Sequence, residues 1–166
     1  MIPKIKRILY ATDLSESARY AFGYAADLAD KHNAQITIIS VLESLAPNSE
    51  SRVKDMVGIE RWEQLKSQHS KASVEKIKQR VSDFCKEMDG QMDSCSFMVD
   101  DIRVPKGTPH VEILKTAKEI KADMIVIGTH GHNLFQDSLI GSTARRIVKD
   151  SKIPVLVIRL PETKKQ

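Results

Sequence analysis

Residues 124–143 read MIVIGTHGHNLFQDSLIGST, and the succession of residue types in that stretch decides the fold. Met124-Ile125-Val126-Ile127 is a short apolar run without alternation, the pattern of a strand buried on both faces. Gly128-Thr129-His130-Gly131 breaks the run, nine residues lead to Gly141, and Ser142-Thr143 opens a helical stretch. Three of the seven glycines fall between 128 and 141, so two glycine turns bracket one loop at the carboxyl end of a strand. Glycine lets a backbone approach an anion closely, and the amides at the start of a helix are unpaired donors with partial positive charge. The stretch therefore reads as a phosphate cradle. Two glycines that merely turn a loop would share part of this pattern; the GxxG-x9-G[ST] spacing, the strand-to-helix setting and the hydroxyls of Ser142 and Thr143 favour the cradle.

Working outward, Ile5 to Ala11 is a first strand that ends at Thr12-Asp13, polar residues able to cap a helix. From Ser15 to His32, Ala18, Phe22, Ala25 and Ala29 recur three and four apart, which predicts an amphipathic helix. Gly23 inside it is unfavourable unless the helix is closely packed there. Ala34 to Leu42 is a second strand. Residues 43–58 show no clean period and contain Pro47-Asn48-Ser49, so a long surface loop is expected. Ile59 to Met88 carries a helical pattern long enough for one helix or two, with His69 on its apolar stripe and expected to be packed. Ser94 to Val104 is a third strand broken at Asp100-Asp101, which suggests a bulge. Thr108-Pro109 starts a third helix, Asp123 to Ile127 is the fourth strand, Ser142 to Asp150 the fourth helix, and Pro154 to Ile158 the fifth strand.

Strands and helices alternate along the whole chain, which predicts an α/β fold: a single doubly wound domain over 1–166 with a short C-terminal tail at 161–166. Its five-stranded parallel sheet has helices on both faces and the strand order 3-2-1-4-5. In that order the chain reverses between strands one and four, where ligands bind in such sheets. Asp13, the glycine loop and Val41 then converge on one crevice. Asp13 there suits ribose hydroxyls or a magnesium ion carried with phosphates, and it suits capping of the first helix equally well. The fifth strand lies at the sheet edge, and Val155-Leu156-Val157-Ile158 has no charge to discourage pairing, so a homodimer through 154–158 is expected.

Composition bounds the function. At 166 residues and 41% hydrophobic content, the chain buries about 70% of its unfolded surface without staples. Cys85 and Cys95 have no CxxC or metal-ligand spacing and read as packed, reduced thiols, which points to the cytoplasm. No signal peptide and no apolar run of the length of a membrane span is found. The net charge of +4 is partly local, with eight Lys or Arg against four Asp or Glu from Arg52 to Arg80, interleaved with a helical period and nearly devoid of aromatics. That pattern describes a solvated helix face, so no nucleic-acid partner is expected.

Other chemistries fit less well. There is no GxxxxGK[ST] and no GxGxxG. Thr129-His130-Gly131-His132 lacks the first His of the HxGH nucleotidyl-transferase signature and follows the fourth strand rather than the first. The His130/His132 pair has no third zinc ligand nearby. A phosphoacceptor receiver domain would need further acids beside Asp13. No general base, nucleophile or lysine clamp is positioned for phosphoryl transfer, so no catalytic residue is assigned.

Gly128-x2-Gly131-x9-Gly141-Ser142 is similar to the ATP-binding motif of the universal stress protein family. Tyr10-Ala11-Thr12-Asp13-Leu14-Ser15 resembles that family's first strand, Gly107-Thr108-Pro109 its turn after strand three, and Pro154-Val155-Leu156-Val157 its closing strand. The resemblance implies a Rossmann-like fold, a cytoplasmic homodimer and membership of the nucleotide-binding branch. It implies that Asp13 and Val41 line the adenosine part of the site with Thr12 beside them, that Gly128 and Gly131 admit ribose and phosphates, and that Gly141, Ser142 and Thr143 donate to phosphate oxygens. The implied ligand is ATP, or AMP or ADP, with Mg2+. The implied role is a stress-response or signalling module with little or no hydrolysis. The alternatives are a dimeric stress protein that works without nucleotide, and a weak ATPase of the adenine-nucleotide alpha-hydrolase type, although Asp13-Leu14-Ser15 offers no Ser-Gly-Gly loop.

Overall fold

The computed structural model describes residues 1–44, 47–87, 98–129 and 140–159, except for the side chains of Glu16, Ser17 and Cys85. Five strands form one parallel sheet: β1 (Arg7–Ala11), β2 (Gln35–Ile39), β4 (Val99–Arg103), β6 (Met124–Gly128) and β7 (Val155–Ile158), in the order β4-β2-β1-β6-β7. Counted without the short strands, this is the expected 3-2-1-4-5 order. β1 lies at the centre, pairing Ile8 with both Ile36 and Met124.

Helices cover both faces. α1 (Glu16–His32) and α3 (Ile59–Glu87) enclose one core around Ile8, Phe22, Ile36, Ile38 and Ile77. α4 (Pro109–Glu119) and α5 (Ser142–Asp150) enclose the other around Leu9, Ile39, Ile113, Ile125 and Ile147. Ile8, Leu9, Ile36, Ile39, Ile125 and Ile147 are wholly inaccessible, each contributing about 1.5–3 kcal/mol of apolar burial. The central strands read as unbroken apolar runs because both of their faces are covered. A relay of rings ties the first core together, with Tyr10 5.3 Å from Phe22 and Phe22 5.0 Å from Phe84. Tyr10 donates its hydroxyl hydrogen bond to the Ala18 carbonyl, and burial pushes its phenol well above the ordinary range.

The third strand has its bulge: Ile36 pairs with Val99 and Thr37 with Asp101, leaving Asp100 as the extra residue. Asp101 accepts from the Ile102 amide at 2.8 Å and from Arg103 Nε at 2.9 Å, so this edge of the sheet is lined by charge.

Four expectations are corrected. Residues 43–58, expected to be a long loop, hold the end of a short strand β3 (Leu42–Glu43) and an 11-residue helix, α2 (Pro47–Val57). β3 pairs with β5 (Lys106–Gly107) in a separate two-stranded sheet, so the apolar run from Ala34 is two strands, not one. α2 buries no residue, which is why it carries no hydrophobic period; Gly58, at φ +84°, separates it from the 29-residue α3. His69 is exposed rather than packed. Gly23 is not forced by close packing, because a Cβ there would meet its nearest atom, Phe84 Cε2, at an ordinary 3.9 Å. Met88, Cys95, Gly131 and the tail at 161–166 lie outside the described residues. Among the described residues, no helix is long and apolar enough to cross a membrane.

Candidate functional site

The carboxyl ends of β1, β2 and β6 open into a cleft of about 630 Å³. Its floor is set where β1 stops. The Thr12 amide donates to the Ile39 carbonyl at 2.9 Å, the last bond of the β1–β2 ladder, and the chain then turns through Leu14 at φ +66°. Left-handed backbone is costly for a leucine. It is held by Thr12 Oγ1, which accepts from the Leu14 amide at 3.0 Å, and by Asp13 Oδ1, which accepts from the Ser15 amide at 2.9 Å. Ser15 caps α1 by accepting from the Ala18 amide at 3.3 Å. Asp13 holds the turn before the helix while Ser15, not Asp13, is the cap, and Asp13 also lines the cleft.

Across the cleft, β6 ends at Gly128, and α5 starts at Gly141, whose amide donates to the Thr129 carbonyl at 2.6 Å. Gly141 is the N-cap in extended geometry, φ −63° and ψ 159°, and has no side chain to offer. α5 has no acidic residue in its first turn either. The amides of a first helical turn have no intrahelical acceptor and concentrate the positive end of the helix dipole. Here that end faces the cleft, flanked by the hydroxyls of Ser142 and Thr143. Thr12, Asp13, Val41, Gly128, Gly141, Ser142 and Thr143 all line this one space, so seven of the eight residues singled out in the sequence are brought together. The eighth, Gly131, lies outside the described residues.

The structure adds a wall that the sequence did not reveal. His69, Ser73 and Lys76 of α3 line the cleft, as do Leu42 and Glu43 of β3 and Ile113 of α4. Residues on the core and cleft sides of a long helix both recur three or four apart, so the spacing of His69 does not separate the two sides. The signal that could have found the wall is the polar run His69, Ser73, Lys76 at four and three, offset from the core positions Ile77, Val81 and Phe84.

Beside the mouth, Glu50 of α2 binds three elements together. It accepts from Lys106 Nζ at 3.2 Å and Trp62 Nε1 at 3.2 Å, with Lys54 at 3.3 Å and Lys66 at 3.8 Å. Lys66 and Lys106 sit 5.7 and 5.6 Å from the Trp62 ring centre. The hydrogen bond from Lys106, then those from Trp62 and Lys54, hold the Glu50 carboxyl down at about 2. Gly107, next to Lys106, has no room for a side chain: a Cβ would lie 2.9 Å from Glu112 Cγ.

The donor set suits a phosphate-bearing ligand better than a resident metal. Among the described residues no three His, Cys, Asp or Glu side chains cluster as metal ligands. A magnesium ion here would take most of its oxygens from phosphates and water, with Asp13 as the nearby carboxylate.

The profile of the universal stress protein family matches residues 4–159. Over 158 residues the chain is 27% identical to universal stress protein MJ0577 of Methanocaldococcus jannaschii, covering 93% of this chain and 94% of that one. It is 31% identical to a putative universal stress protein of Staphylococcus epidermidis, covering 95% and 86%. Among solved structures, MJ0577 superposes with a TM-score of 0.75 at 25% identity, covering 97% of this chain and all of that one. The universal stress protein UspA of Lactobacillus plantarum superposes at 0.70 and 25% identity, covering 95% and 100%. A universal stress protein solved in complex with cAMP shares the fold at TM-score 0.57 and 21% identity, covering 94% and 98%. With nearly its whole length accounted for by that profile, the chain belongs to the universal stress protein family.

Proposed function

We propose that this chain is a nucleotide-binding universal stress protein that takes ATP, with AMP or ADP as alternatives, and works as a cytoplasmic binding switch with little or no hydrolysis. The observation that carries the reading is the start of α5: a helix terminus with neither a side-chain cap nor a first-turn acid, opening on a cleft at the reversal point of the sheet. Phosphates accept from the amides and hydroxyls of Ser142 and Thr143, Gly141 and Gly128 give the backbone its close approach with Gly131, and Asp13 meets ribose hydroxyls or the accompanying Mg2+. Thr12 and Val41 flank the adenosine. That the family includes a protein solved with cAMP supports nucleotide as the ligand class.

Among the described residues of the cleft, none is arranged as a base for phosphoryl transfer, which supports binding over turnover. Occupancy has a physical route to the surface: Leu42 and Glu43 line the cleft and precede α2, which buries no residue and is tied down through Glu50. A homodimer through β7 completes the proposal. The β4 edge carries Asp100, Asp101 and Arg103, whereas the β7 edge is Val-Leu-Val-Ile, uncharged and only partly buried.

Thermal melting with and without magnesium ATP tests the reading. Ligand at 100 times its dissociation constant adds about 2.7 kcal/mol, a rise of roughly 5–10 °C for a chain of this size. An unchanged midpoint at millimolar ATP, ADP and AMP would overturn it.

A further inference from the structure

Two aromatic side chains on α1, Tyr20 and Tyr24, are left 38% and 44% exposed. Their rings meet edge to face at 5.5 Å and their hydroxyls lie 3.3 Å apart, so they form one ridge, apolar along its flank and polar at its tip. Each stands two positions from Phe22. At about 100° per residue, both are turned to the opposite side of the helix from the ring that meets Phe84 of α3. α3 touches β4 at one edge of the sheet, whereas α1 lies over β6 and reaches β7 at the other. The tyrosines therefore flank the β7 side. Leu28, one turn beyond Tyr24, is half-buried against the core, and the charges of Asp27 and Lys31 on this flank pair with each other at 2.8 Å. Ala18 lines the cleft at the carboxyl ends of the strands, and the Ala29 carbonyl accepts from Ala34 just before β2 begins, so Tyr20 and Tyr24 stand level with the strands.

A two-fold axis that pairs β7 with its copy stands perpendicular to the sheet, so α1 of each chain lies on the same face, antiparallel across the axis. With strands about 4.8 Å apart, a helix over β6 lies about 7 Å from the axis and about 14 Å from its mate. Helices in contact sit about 8–10 Å apart, which leaves roughly 4–6 Å to be filled. Small side chains would leave that space open; a tyrosine reaching in from each helix closes it. The area demands such a contribution as well. The edge of β7 is four residues long, about 13 Å, and falls short of the roughly 1,200–2,000 Å² that a stable interface buries. Resting on the β7 pairing put forward above, we propose that Tyr20 and Tyr24 dock against the same pair of a second copy, a four-tyrosine seam that joins the two α1 helices over the paired β7 strands.

Cross-linking of the full chain tests the seam. The chain holds three tyrosines and Tyr10 is buried, so photo-oxidation with ruthenium tris-bipyridyl and persulfate, which joins phenols in contact, reads Tyr20 and Tyr24. Wild type should give a covalent dimer on a denaturing gel. Tyr20→Phe with Tyr24→Phe keeps the rings and should lose the cross-link while remaining a dimer in sedimentation. Tyr20→Gln with Tyr24→Gln, polar residues that keep the helix, should raise the dimer dissociation constant about a hundredfold or more, with an unchanged circular dichroism spectrum. A wild-type dimer that yields no cross-linked pair, or a glutamine variant that dimerises as tightly as wild type, overturns the seam and leaves the β7 pairing intact. A monomeric wild type overturns both.

Discussion

Replacing Gly141 by aspartate should make the protein more stable and deprive it of its ligand. Gly141 occupies the N-cap of α5 at φ −63°, a conformation open to any L residue, and its amide bond to Thr129 is made by backbone alone. An aspartate there accepts from the amides of the second or third helical residue, worth a few tenths of a kcal/mol over glycine. Its charge against a terminus with no first-turn acid adds roughly 0.3–1 kcal/mol. The sum, about 0.5–1.5 kcal/mol, raises the melting midpoint by about 1–5 °C. The same carboxylate occupies the donors a phosphate would use and repels it, so the ATP-dependent rise should vanish. Urea denaturation and melting with and without magnesium ATP measure both halves. Gly141→Asn, a cap without charge, should gain only the few tenths and keep part of the shift. A variant that is stabilised yet still shifts fully with ATP would refute phosphate binding at α5; a destabilised one would refute the cap geometry.

Gly23→Ala should stabilise the chain by about 0.5–1 kcal/mol in urea denaturation, since the new methyl meets Phe84 at an ordinary distance and glycine is disfavoured within a helix; destabilisation would mean that α1 needs the gap. The Glu50 carboxyl is depressed in the folded chain to about 2 from its ordinary 4.5, so its stabilisation is complete above pH 4.5 and is lost as the pH falls through about 2. Glu50→Gln should therefore flatten the acid limb of a pH-stability profile, and equal limbs would show that the Lys106–Trp62 contacts contribute nothing to it. Sedimentation at micromolar concentration should show twice the 18.7 kDa chain mass; a monomer would end the proposal that β7 pairs across a two-fold axis.

The sheet was legible because burial on both faces leaves a crude signal. Met124 to Ile127 is apolar without alternation, and Ile36 to Ile39 is broken only by the buried Thr37, which a strand covered on both sides tolerates. Asp100 interrupted such a run and proved to be the residue left over at a bulge. The start of α5 at Ser142 followed from a glycine before a hydroxyl pair. What escaped was held by contacts distant in sequence. α2 buries nothing and is fixed through Glu50 to Lys106, 56 positions away, so no window of sequence contains its cause. The division of the second strand at Ser40 and Val41 depends on where β1 ends in space, because beyond that point β2 has lost a neighbour and the chain pairs with β5 instead. The cleft-lining side of α3 escaped for a related reason: a helix that runs past the edge of its core keeps its periodicity after its surroundings have changed from protein to open space.

Where this fold departs from local stability bears on its purpose. α1 is capped at both ends, by the Ser15 side chain and by Asn33 in left-handed conformation, and the buried Tyr10 hydroxyl is bonded. Such economy makes the exceptions informative. Leu14 adopts a conformation suited to glycine, and α5 begins at a glycine with no side-chain cap bond. The first costs on the order of 1 kcal/mol and the second a few tenths, deficits that a domain of this size withstands. The two positions are far apart in the chain, but both border the same cleft. On the nucleotide reading proposed above, phosphate oxygens would take the place that a capping side chain leaves open at α5.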